Sequence, residues 1–207
     1  MRSMPITAAI TISMLLSIPQ AFAHDGPESP FMVTSGHASA PYGFVRFCAS
    51  HSNDCAALNT SYVRAAGSPA NLAELDRVNR RVNQAIEPVT DRDQYGIEEF
   101  WTIPTNGRGD CEEYVLLKRR MLIKRGWSSA SLLITVVIDE NGDGHAVLTA
   151  RTSTGDYILD NKNNTVLLWH QKPYKFVMRQ SYMDPKRWVA LEPHDLSSPT
   201  ISAGIPN

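Results

Sequence analysis

The sequence predicts an α+β domain. Apolar residues recur at helical spacing through its first half and in strand-like runs through its second, and the change falls at Gly126. Leu72, Leu75, Val78, Val82 and Ile86 form a helical stripe opened by Ser68-Pro69 and stopped before Pro88. A second helix is expected from Cys111 to Arg125. Its apolar face carries Tyr114, Val115, Leu117, Met121, Leu122 and Cys111 itself, with Lys118 intruding. After Gly126 come a β-branched run at 132–138, turn material at 139–144, a second run at 145–150, a Ser-Thr-Gly turn and a third run at 156–160. Three runs joined by short glycine-containing turns make an antiparallel meander. Strand-like pieces follow at 166–169, 175–181 and 188–191.

Composition narrows the function classes. Among 207 residues, 20 Lys+Arg face 21 Asp+Glu, a net charge of −1 that excludes a surface built to coat nucleic acid. With 43% hydrophobic and 20% charged residues, the chain has the composition of one folded domain. Arg2, an apolar stretch at 6–18 and Ala21-Phe22-Ala23 have the pattern of a cleaved export signal covering residues 1–23. The stretch is shorter than the roughly 20 residues that span a bilayer. The expected organisation is then a flexible N-terminal arm at 24–41, a domain at 42–196 and a frayed tail at 197–207.

Export changes how the three cysteines read. Cys48 and Cys55 bracket a short polar loop that a disulfide closes in an oxidising compartment. Cys111 is left over as a free thiol. It stands at the first turn of a predicted helix, where backbone N–H groups and the helix dipole favour a thiolate. His145 begins the second strand and Asp160 ends the third, so adjacent strands can bring both to one sheet face. With the helix N-terminus over that face, thiol, imidazole and carboxylate have the order of nucleophile, base and orienter.

Other signals carry less. Residues 139–144 begin like a calcium loop, but the twelfth position is Ala150 instead of Glu, so a hairpin turn is expected. Lys118, Arg119 and Arg120 read as a solvated helix face. The remaining histidines show no metal-ligand spacing.

The segments Gly109-Asp-Cys-Glu-Glu-Tyr114, Ile134-Thr-Val-Val, Gly144-His-Ala-Val-Leu148 and Gly155-Asp-Tyr-Ile-Leu-Asp-Asn161 resemble the bacterial transglutaminase-like cysteine peptidases. Phe47-Cys48 with Cys55, Val78-Asn79, Val82-Asn83, Asp91, Tyr95-Gly96 and Trp101 with Pro104 extend the resemblance over most of the chain. It implies a papain/transglutaminase-like core with Cys111 as nucleophile, His145 as base and then acid, Asp160 as orienter and Trp101 as a wall of the substrate site. It also implies calcium dependence, with Asp110, Glu112 and Glu113 as ligands, although Glu113 stands where the family usually has Asp. Three carboxylates around a thiol raise its pKa, and a bound Ca²⁺ cancels that repulsion. Asp110 as N-cap with Glu113 three residues on is equally a capping box that needs no metal.

The expected function is a periplasmic cysteine endopeptidase. The resemblance implies a membrane-tethered surface adhesin as substrate, with biofilm as the setting, and an inner-membrane receptor that sequesters the enzyme. Amide transfer to an amine at the same site and a non-catalytic calcium-stabilised binding module are the alternatives.

Overall fold

The computed structural model describes residues 29–56 and 64–192. The expected signal peptide at 1–23 and tail at 197–207 lie outside the described residues. No helix among the described residues is long and apolar enough to cross a membrane.

The helices are α1 (Tyr42–Ser50), α2 (Pro69–Ala85), α3 (Asp91–Tyr95) and α4 (Cys111–Ile123). Seven strands form the main sheet: β1 (Thr34–Ala38), β4 (Leu132–Ile138), β5 (Gly144–Thr152), β6 (Gly155–Leu159), β7 (Leu167–Leu168), β8 (Lys175–Gln180) and β9 (Trp188–Leu191). Their order is β1-β9-β8-β4-β5-β6-β7, antiparallel throughout. Two short strands, β2 (Glu87–Pro88) and β3 (Arg108–Gly109), pair in parallel beside it. This is an α+β architecture, as the separation of helical and strand periods predicts.

Ser68 caps α2 by accepting a hydrogen bond from the Asn71 N–H at 3.3 Å, and Pro69 supplies a preset φ at the first helical position. Helix α4 stops at Gly126, whose φ of 94° lets the chain reverse, so that the Trp127 N–H reaches back to the Leu122 carbonyl. The helices bury Leu75, Val78, Val82, Val115 and Leu122 against one sheet face, where Ile134, Ala146, Leu148 and Leu159 point. A smaller cluster of Met32, Val147, Ile158, Tyr174 and Phe176 covers the other face. Strand alternation divides β5 between the two, with Ala146 and Leu148 turned toward the helices and Val147 away.

Two expectations are corrected. Residues 29–41 are not a loose arm. Thr34–Ala38 pairs with β9, the Met32 N–H donates to Asp156 Oδ2, and Trp169 Nε1 donates to the Ser29 carbonyl. Edge pairing and buried hydrogen bonds outweigh the local preference of a Pro/Gly/Ser-rich stretch for loop. The Lys118–Arg120 run is not a solvated face either. Arg119 is buried and donates to the carbonyls of Leu132 and Asp54, while Arg120 pairs with the Asp54 carboxylate at 2.7 Å.

Asp54 lies in the loop that the Cys48–Cys55 disulfide closes, so that loop is stapled covalently to α1 and electrostatically to α4. Replacing both cysteines by serine should lower stability by about 2–3 kcal/mol, the chain-entropy value for a loop this short, read as a shift of the urea midpoint at constant m. An unchanged midpoint would show that the Asp54 contacts hold the loop by themselves.

Candidate active site

The register of the meander brings the candidate residues together. Leu148 pairs with Leu159, so one step further Asp160 falls opposite Val147 and diagonal to His145 on the same side of the sheet. His145 Nε2 lies 3.0 Å from Asp160 Oδ1, and both groups are buried. Burial alone would raise the Asp160 pKa, but hydrogen bonds from His145 and Lys172 and the Lys172 charge outweigh it and hold the carboxyl well below its ordinary range. An ionised carboxylate only accepts, so Nε2 carries the proton, and the neutral form of the ring then has its lone pair on Nδ1.

Helix α4 delivers Cys111, its first residue, to the start of β5. There the backbone N–H of Ala146, the residue after His145, hydrogen-bonds the sulfur. Cys111 and His145 line the same cleft, of about 510 Å³, together with Asp110, Thr90, Asn161 and Lys162. The 139–144 turn forms another wall of this cleft and is a hairpin, as expected. Asp139 Oδ1 accepts from the N–H groups of Asn141 and Asp143, and its other oxygen pairs with Lys162.

Asn79 and Asn83 on α2 carry a signal that sequence reasoning left without a role. The Asp160 N–H donates to Asn79 Oδ1 at 3.0 Å, and Asn83 Nδ2 donates to the Asp160 carbonyl at 2.9 Å. Asn79 Nδ2 also holds the carbonyls of Asn163 and Asn164. Two polar residues four apart on a helical stripe that is otherwise apolar were the visible sign.

Trp101 is buried in the core. Its ring packs edge-on against Phe44 at 5.6 Å, and its Nε1 donates to Glu99 Oε2. It lines a separate cavity of about 350 Å³ with Gly43, Arg46 and Phe47, not the cleft that holds Cys111. Packing against α1 decides its position.

The thiol is not the activated one that a helix N-terminus by itself would give. Burial pushes the Cys111 pKa well above its ordinary value, and the charge of Glu112, whose Oε2 accepts from the sulfur at 2.9 Å, pushes it further. Around it lies a cluster of buried and half-buried acids. Burial raises Glu112 to about 9 with help from Asp110, raises Glu113 to about 8, and raises Asp91 to about 6. Glu113 completes the anticipated cap, with Oε2 accepting from the Asp110 N–H and Oε1 from the Thr102 N–H. Gly109 makes that possible, because a Cβ there would sit 2.6 Å from Glu113 Cβ.

The three acids predicted as ligands fall into two sets that share Asp110. Asp110 and Glu112 converge with Cys111, whereas Glu113 converges with Asp110 and Asp91, each set lying within 4.8 Å. Asp91 arrives from α3, nineteen residues upstream, and is tied in by its N–H donating to Asp110 Oδ2. No local pattern announces it as a ligand. Asp110 Oδ1 is buried and has no hydrogen-bond donor. An orphaned oxygen among raised carboxyls fits a hard divalent cation of the calcium type, which takes several oxygens at once.

With this geometry in view, the family comparison is decisive. The model of the bacterial transglutaminase-like cysteine proteinases (BTLCP) matches residues 34–196. The chain belongs to that family. Its Cys111, His145 and Asp160 all lie within the matched span. Among solved structures, LapG of Legionella pneumophila is similar in its calcium-bound form (25% identity) and in two further forms, one EGTA-treated (26% each), all with a TM-score of 0.47. These matches cover 55% of this chain and 66%, 65% and 64% of the LapG chains, just under two thirds of their length. A comparison with curated proteins gives no match.

The acid cluster sets a pH dependence with a definite sign. Glu112 and Glu113 favour the folded state while protonated. Their contribution is complete below their ordinary value of 4.5 and is lost as pH rises through about 8 and 9. In chelator, the urea midpoint should therefore fall between pH 5 and pH 9, and millimolar calcium should restore it at the alkaline end. Parallel curves with and without calcium would exclude a cation at this cluster.

Proposed function

We propose that this protein is an exported cysteine endopeptidase in which Cys111 is the nucleophile, His145 the general base and acid, and Asp160 the group that orients the imidazole. The observation that carries the proposal is the shared cleft, with the thiol beside Ala146 and the Nε2 of His145 committed to Asp160. That commitment leaves Nδ1 as the nitrogen able to take the thiol proton.

The reaction follows from these roles. His145 Nδ1 accepts the Cys111 proton, and the sulfur attacks the carbonyl carbon of the scissile peptide. The tetrahedral oxyanion is favoured by backbone N–H groups at the start of α4. Imidazolium returns its proton to the departing amine, the C–N bond breaks and a thioester remains. Water, deprotonated by His145, then releases the acid product and the free thiol.

Asp91, Asp110, Glu112 and Glu113 are the residues that would hold calcium. When bound, the ion supplies positive charge that offsets the acids raising the thiol pKa. The leader and the Cys48–Cys55 disulfide support a periplasmic location. A membrane-tethered surface adhesin as substrate, and an inner-membrane receptor that sequesters the enzyme, extend this reading on the family resemblance.

Alkylation of Cys111, followed by mass spectrometry across pH 5–9, tests the nucleophile without a known substrate. Labelling should be fast near neutral pH with calcium, slow with chelator, and slow in both for His145→Ala. A thiol indifferent to His145 would overturn the proposal. Incubation with outer-membrane surface proteins should produce new N-termini that Cys111→Ser fails to generate, a loss of at least about 10³-fold. Incorporation of an added primary amine in place of hydrolysis would assign amide transfer instead.

A further inference from the structure

Asp160 meets four donors, as many as a carboxylate has lone-pair directions. His145 Nε2 and the Lys162 N–H share Oδ1, each at 3.0 Å. The Tyr174 hydroxyl donates to Oδ2 at 2.8 Å, and Lys172 Nζ pairs with the same oxygen at 2.5 Å. Lys172 and Tyr174 come from the stretch leading into β8 and meet the oxygen that His145 does not use. The Tyr174 ring also meets the His145 ring edge-on, with centroids 5.8 Å apart. Both residues are buried.

A buried lysine–aspartate pair adds little stability over an apolar pair of similar volume, and a tyrosine ring packs as well without its hydroxyl. Yet both polar groups converge on the one oxygen that His145 does not use. A second lysine near the same carboxylate behaves differently. Lys118 Nζ is buried without a hydrogen-bond partner, and burial lowers its pKa to about 7. The hydrogen-bonded cation at Asp160 is thus Lys172.

We propose that Tyr174 and Lys172 are positioning residues that act through Asp160: by occupying Oδ2 they stop the carboxylate from turning, keep Oδ1 on His145 Nε2–H and so hold Nδ1 free for the thiol. This inference rests on the triad assigned above. Without the two donors, Oδ2 would be an unpaired buried acceptor, and the carboxylate would turn to share its remaining donors.

The test reads the imidazole directly. In protein carrying ¹⁵N-histidine, with His145 assigned through His145→Gln, the native ring should show the Nε2–H tautomer with a slowly exchanging proton. Tyr174→Phe should lose that protected signal and gain Nδ1–H tautomer, and Lys172→Met should do the same; both also lower the melting temperature, because Oδ2 loses a donor. A merely structural role would lower the melting temperature and leave the tautomer alone. A native ring spectrum in Tyr174→Phe, or an Nδ1–H tautomer in the unmodified protein, overturns the proposal. If Lys172→Met does not fold, Tyr174→Phe decides. Cys111 alkylation on the same unmodified sample reads the peptidase assignment separately, since an inert thiol beside an Nε2–H ring removes that assignment and leaves the positioning of His145 intact.

Discussion

Burying the Asp160 carboxylate is the constraint on which the rest of this site depends. A charge removed from water persists only where donors replace the lost hydration, and here they come from every side. His145, Lys162, Lys172 and Tyr174 serve the side chain, while Asn79 and Asn83 hold the backbone. Strand β5, the segment after β6, the stretch leading into β8 and helix α2 are thereby fixed to one point. The imidazole inherits its orientation from that point.

The acidic end of the site follows the opposite logic. Around Asp160 donors outnumber the charge, whereas around Asp110 carboxyls crowd together and push one another and the thiol toward their protonated forms. The same low dielectric that strengthens the satisfied network penalises the unsatisfied one. Cys111 sits between the two, with Glu112 on one side and the Ala146 N–H on the other. The reactivity of the thiol is thus tied to whatever charge enters the acid cluster. The far end of helix α4 is anchored to the disulfide loop through Arg119 and Arg120.

Much of the fold was legible along the chain. The stripe from Leu72 to Ile86, the β-branched run at 132–138 and the two glycine turns became α2 and the meander. Strand β1 and helix α1 were not legible. Thr34–Ala38 is exposed over most of its length and carries no alternating pattern, and it is a strand because β9 offers an open edge. Lys118 and Arg119 were misplaced for a related reason. Local sequence marks a charged residue as outward, and only the Leu132 and Asp54 carbonyls, distant in the chain, make Arg119 an inward one.

By itself the sequence determined the chemical types available at the site. It set a thiol to open a helix, a histidine to open one strand, an aspartate to close the next and acids beside the thiol, because each follows from local pattern and near-neighbour register. The tertiary structure decided which of them meet. It brought Asp91 to Asp110 from another helix, sent Trp101 to the core, and drew Tyr174 and Lys172 to Oδ2 of Asp160. Those contacts join residues far apart in the chain, and they form because buried charge and buried polar atoms must find partners wherever the fold supplies them.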